Sequence, residues 1–119
     1  MSQALVLLAD DDETSTQILK MILEDEGFEV DVSATGSEAV DKVLTKSYQV
    51  VLLDYVLPDM RGRDVVAKIQ EAGQRPKIIL LTGYNKEDEN LADKSYDLVL
   101  LKPAKPAEIV KAIRETLKG

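Results

Sequence analysis

The sequence predicts an α/β protein, a single domain built on an open parallel sheet with helices on both faces. Three observations carry this. Short unbroken apolar runs at residues 5–8, 50–53, 78–81 and 98–101 have the length and the Val, Ile and Leu content of strands buried on both faces. Segments with helical apolar spacing lie between them, and the two kinds of segment alternate along the chain. The 119 residues suffice for one hydrophobic core but not for two, so one domain over residues 1–119 with no effector domain is expected.

Residues 4–9 form the first predicted strand. Residues 12–26 follow as a helix with Ile18, Leu19, Ile22 and Leu23 on one face. Its first turn is acidic, which suits the positive end of the helix dipole, and Gly27 ends it. Residues 28–32 alternate with period two, the mark of a strand with one wetter face at a sheet edge. Residues 37–44 are a short helix expected to bury Val40, Val43 and Leu44. Residues 50–53 are the central strand. It stops at Asp54, and residues 55–62 form a loop with Pro58 and Gly62 to turn the chain. Residues 63–72 are a helix with Val65, Val66 and Ile69 inward, ended by Gly73. Residues 77–81 are the fourth strand, running into Thr82-Gly83. Residues 86–94 are a mostly charged helix in which only Leu91 and Ala92 can pack. Residues 98–101 are the fifth strand, ending at Lys102-Pro103. Pro106 opens the last helix, with Ile109, Val110, Ile113 and Leu117 on one face and Lys105, Lys111, Arg114 and Lys118 on the wet side.

Five strand–helix units joined by right-handed crossovers give a three-layer α/β/α sandwich with five helices. The common solution is the flavodoxin-like strand order 2-1-3-4-5. In that order strands 1 and 3 are neighbours, the connection reverses direction between them, and the crevice at their carboxyl ends is the expected site. These are the two strands that end in acids, at Asp10-Asp11-Asp12-Glu13 and at Asp54.

Composition narrows the chemistry. The formal net charge of −7 argues against a nucleic-acid footprint, which would be basic. With no Cys and no His, the chain has neither disulfides nor the commonest general base. Any metal must then be bound by oxygen, which favours magnesium, manganese or calcium. No apolar run approaches the ~20 residues of a membrane helix, and the N-terminus lacks the layout of a signal peptide. A cytoplasmic protein without membrane insertion is therefore expected.

Asp10, Asp11 and Asp54 converge in this arrangement, and a hard divalent cation relieves their mutual repulsion. The other two strand ends supply Thr82 and Lys102, which suit the oxygens of a phosphoryl group as a donor and a point charge. Asp54 then has a role as the nucleophile that takes the phosphoryl group. Taken singly, each has a plainer reading. Asp54 ends a strand, Thr82 is a strand-end hydroxyl, Lys102 is a solvated lysine, and Asp12 and Glu13 are helix-start charges. The combination on four strand ends is what departs from those readings.

On these residues the sequence resembles the receiver domain of two-component response regulators, over essentially its whole length. The resemblance rests on Leu7-Leu8-Ala9-Asp10-Asp11, on Leu53-Asp54 with Leu57-Pro58-Asp59-Met60-Arg61-Gly62, on Leu81-Thr82-Gly83 and on Lys102-Pro103. It implies that Asp54 is the phosphoacceptor, that magnesium (or manganese) sits among Asp10, Asp11, Asp54 and the backbone carbonyl of Val56, and that Thr82 and Lys102 contact the phosphoryl oxygens. It also implies a cis peptide bond before Pro103, a sensor histidine kinase or phosphotransfer protein as donor, and a downstream protein as receiver of the signal. Such a module catalyses only its own phosphorylation and dephosphorylation. The sequence departs from the family pattern at Arg61, where an acid is usual, at Val99, where an aromatic is common, and at Ala104, often Phe. Two other readings share the fold. A phosphate-ester hydrolase with an Asp nucleophile usually has a second acid two residues on, where this chain has Val56. A flavin or nucleotide carrier needs a Gly-rich phosphate loop after strand 1, which is missing here.

Overall fold

The computed structural model describes residues 4–83 and 96–118. The helix predicted over residues 86–94, and Tyr84, lie outside the described residues. In chain order the elements are β1 (Leu5–Ala9), α1 (Glu13–Asp25), β2 (Glu29–Ser33), α2 (Gly36–Thr45), β3 (Val50–Asp54), α3 (Gly62–Glu71), β4 (Lys77–Thr82), β5 (Leu98–Leu101) and α4 (Pro106–Lys118). The strands form one parallel sheet in the order β2-β1-β3-β4-β5, as the alternating pattern predicts.

Side chains alternate across each strand, so one sheet feeds two cores. On one face Leu7, Ala9, Val51, Leu53, Ile78 and Leu80 pack with Ala39 and Val43 of α2 and with Val65, Val66 and Ile69 of α3. On the other, Val6, Leu8, Val50, Leu52 and Ile79 meet Leu23 of α1 and Ile109, Val110 and Ile113 of α4. All five residues of β3 are buried, which makes it the axis of the sheet. Each such leucine removed from water contributes roughly 1.5–3 kcal/mol.

Two inward assignments are corrected. Ile18 is 54% exposed and Leu44 46% exposed. At about 100° per residue, the stripe that α1 buries runs through Thr16 and Leu23, and Ile18 lies well round the helix from both. In α2 the buried stripe is Gly36, Ala39 and Val43, and Leu44 stands one step beyond it. Most boundaries also shift by a residue: α1, for one, begins at Glu13 because Asp12 is its N-cap, and β2 begins after Phe28. Glycines end α1 and α3 as expected, Gly27 at φ 99° and Gly73 at φ 86°.

Candidate functional site

The sheet carries its acids to one place. Ala9 pairs with Leu53 in the register of β1 and β3, so the residues that follow, Asp10 and Asp54, emerge side by side. Carboxylate oxygens of Asp10, Asp11 and Asp54 all lie within 4.8 Å of one another. Asp11 is exposed, Asp10 half-buried, and Asp54 only 7% exposed. Three oxygen donors at this spacing, with no nitrogen or sulfur among them, fit a hard divalent cation.

The last two strands complete the ring. Asp54 pairs with Leu81, and Thr82, fully buried at the end of β4, pairs with Leu101. The next residue after β5, Lys102, is tied by its backbone N–H to the Thr82 carbonyl at 2.8 Å. Its Nζ stands 3.1 Å from Asp54 Oδ2 and 3.9 Å from Asp10 Oδ2. The Lys102-Pro103 peptide bond is cis. All the residues expected at the site are thus brought to one end of the sheet.

Burial pushes the Asp54 carboxyl above its ordinary value, and the nearby charge of Asp10 adds to this. A hydrogen bond and the charge of Lys102, and the backbone N–H of Val56, act in the opposite direction. Repulsion among the acids is therefore the smaller reason for the shift, and removal from water the larger. Asp10 is oriented by the Asp12 N–H, which donates to Asp10 Oδ1 at 3.0 Å, and its own N–H donates to the Ser33 carbonyl at 3.0 Å. Asp12 is a capping residue, as its position suggests: its side chain accepts from the Ser15 N–H at 3.2 Å and the Ser15 hydroxyl at 3.0 Å. The Ser15 backbone bond holds its carboxyl below the ordinary range.

After Asp54 the chain makes a tight hairpin. Val56 bridges Arg61 in antiparallel fashion, Leu57 N–H donates to the Met60 carbonyl at 3.0 Å, and Gly62 N–H to the Tyr55 carbonyl at 2.6 Å. Arg61 lies over the Tyr55 ring, 6.0 Å from its centre. Val56, two residues after Asp54, is 41% exposed. Sequence reasoning missed Asp59, at the hairpin tip. Its Oδ1 accepts from the Gly36 N–H at 2.7 Å and its Oδ2 from the Ser37 N–H at 3.0 Å, which holds its carboxyl below the ordinary range. An acid in a loop is ordinarily solvated, and spacing alone does not reveal that this one reaches a helix 22 residues away in sequence.

A groove of about 610 Å³ adjoins the acids. Asp10, Asp12 and Lys102 are among its polar lining residues, and Ile18, Pro103 and Pro106 among its apolar ones. The exposure of Ile18 is explained by this groove rather than by the core. Among the described residues, no helix is long and apolar enough to cross a membrane.

Comparison with known proteins agrees with this geometry. Residues 6–114 match the family described as the response regulator receiver domain. The transcriptional regulatory protein SrrA of Staphylococcus aureus is 34% identical over 115 residues, covering 95% of this chain and 47% of SrrA. The chain thus spans about half the length of the curated relatives it matches. A CheY-like receiver domain from Methanospirillum hungatei superposes with a TM-score of 0.91 at 31% identity, covering 98% of this chain and 95% of its own. The response regulator TrrA of Thermotoga maritima, solved in complex with Mg2+ and BeF, superposes with a TM-score of 0.85 at 29% identity, covering 96% and 99%. With the match running from residue 6 to residue 114, the chain belongs to the response regulator receiver domain family.

Proposed function

We propose that this receiver domain accepts a phosphoryl group on Asp54 in a magnesium-dependent reaction and passes on the resulting change as a signal. The observation that carries the reading is the convergence of a buried carboxylate, two further acids and Lys102 within a few ångströms. An Asp54 carboxylate oxygen attacks the phosphorus of a phosphohistidine, the phosphorus–nitrogen bond breaks, and the imidazole leaves. Lys102, 3.1 Å from that carboxylate, would neutralise the oxygens of the incoming group, and the Thr82 hydroxyl would donate to one of them. The Val56 N–H holds Asp54 in place. Asp10, Asp11, Asp54 and the Val56 carbonyl would hold the magnesium ion, which when bound offsets the charge of acids and phosphoryl alike.

The donor in this reading is a sensor histidine kinase or a phosphotransfer protein. The apolar wall beside the acids gives such a partner a surface on which to present its histidine. The output belongs to a downstream protein or domain. With a net charge of −7 this chain itself is poorly suited to bind DNA. The hydrolase reading is disfavoured by Val56, which offers no proton donor two residues after the acceptor.

The test is intact mass after incubation with phosphoramidate, whose phosphorus sits on nitrogen as in phosphohistidine. A gain of one phosphoryl that requires magnesium is expected. No gain, or the same gain in excess chelator, contradicts the reading.

A further inference from the structure

We infer that Asp59 is a positioning residue for the cation site, acting through the hairpin that carries Val56. The inference rests on the reading that Asp10, Asp11, Asp54 and the Val56 carbonyl hold a divalent cation. Val56 has two connections to that site, its expected carbonyl ligand and its N–H on the Asp54 carboxylate. Its place is therefore decided by whatever holds the hairpin. At the base the hairpin is fixed by the bond from Gly62 to Tyr55 and the bridge from Val56 to Arg61. At the tip it is fixed by Asp59, whose two oxygens each take one backbone N–H of the first turn of α2, at 2.7 and 3.0 Å.

A second contact shows that the hairpin is seated on α2 rather than merely near it. A Cβ on Gly36 would lie 2.3 Å from Met60 Cγ and 2.7 Å from its Sδ, so the glycine leaves the space that Met60 fills. The first turn of α2 is in turn joined to the acid pair. It follows β2, whose last residue, Ser33, accepts from the Asp10 N–H at 3.0 Å. Asp59 thus closes a loop of hydrogen bonds that runs from Asp10 through Ser33 and the first turn of α2 to the hairpin and back to Asp54. Opening that loop frees Val56 to move relative to the acids. Partners that orient a metal's ligands commonly alter affinity by an order of magnitude or more.

α2 does not need Asp59 as its cap. Thr35 already fills that role, its hydroxyl accepting from the Glu38 N–H at 3.1 Å. This separates a positioning role from a structural one. The experiment is calorimetric titration of magnesium into the folded protein, well below its melting temperature. Asp59→Ala should bind magnesium roughly tenfold more weakly, and Asp59→Asn, which keeps one acceptor oxygen, should lose less. Thr35→Ala weakens the same helix end without touching the hairpin, and should keep the parent affinity. Parent affinity in Asp59→Ala, or an equal loss in Thr35→Ala, overturns the inference. Asp11→Ala is the control for the underlying reading and should lose the binding heat. Undiminished binding in Asp11→Ala would mean that the cation site itself is misassigned, a failure distinct from that of Asp59 and one that removes the inference with it.

Discussion

At the scale of single residues, the site turns on how much of Asp54 water can reach. Its carboxyl is buried, which raises its proton affinity, while Lys102 holds the charged form in place. The same confinement bears on the lifetime of a phosphoryl group placed there. Loss requires a water in line behind the phosphorus, and the side chain of Val56, two residues after Asp54 and 41% exposed, offers that water no hydrogen bond. Orientation of an attacking water is worth several kcal/mol of a barrier, and each 1.4 kcal/mol is about tenfold in rate. Val56→Asn should therefore lose its phosphoryl group about tenfold faster. A chase by mass after removal of the donor reads this out, and equal or slower loss in Val56→Asn would contradict it. Residues at strand ends were readable from sequence because a strand's end is marked by the residue that breaks its apolar run. Asp54 and Lys102 are such residues, and Thr82 follows such a run directly. Asp59 was not readable, because nothing local distinguishes an acid that reaches another element from one that faces water. Ile18 misled for the opposite reason: an apolar residue at helical spacing reads as core, yet it lines the groove beside Lys102.

At the scale of elements, the edge strand β2 shows how the sheet is closed off without a further strand. Asp31 accepts from the Tyr48 hydroxyl at 2.7 Å and from Lys46 Nζ at 2.9 Å, and Lys42 Nζ donates to the Val32 carbonyl. Lysines along an edge discourage pairing with a second chain. Burial pushes the Asp31 carboxyl up, but the bonds from Tyr48 and Lys46 together outweigh this and hold it below its ordinary 3.8. Burial first, and then Asp31, push the Tyr48 hydroxyl above its usual range. A carboxyl lowered by folding stabilises the native state above its ordinary value and loses that contribution as pH falls below it. Tyr48→Phe should thus cost about 1 kcal/mol near neutral pH, or roughly 4 °C in Tm. The gap should narrow as pH falls below the ordinary 3.8 of the carboxyl. Thermal melts of both proteins across that range check it, and a gap that does not change with pH contradicts it. The alternation along residues 28–32 already placed this strand at an edge, since a strand wet on one face is not sandwiched between helices. What periodicity did not resolve was where each helical stripe ends. A stripe one residue wider, as with Leu44, differs by only 100° around the helix.

At the scale of the whole molecule, the strand order makes the site. β1 and β3 are separated in sequence by β2 and two helices, and they become neighbours only because the chain crosses over and reverses direction between them. Asp10 and Asp54 meet for that reason, and β4 and β5 then add Thr82 and Lys102 in the order of the sheet. This much was expected from the alternation of strands and helices together with the strand order common to five such units. The link from the hairpin to α2 did not, because it depends on the height at which two elements pack and not on their order. The central claim is that this convergence makes Asp54 the acceptor, and one measurement tests it most directly. The protein is phosphorylated by acetyl phosphate with magnesium, the acyl phosphate is reduced with borohydride to an alcohol, and the altered residue is located by peptide mass. The expected result is a change of Asp54 to homoserine, with no altered peptide from Asp54→Asn. An altered Asp10 or Asp11 in the parent, or an undiminished yield of altered protein from Asp54→Asn, would contradict it.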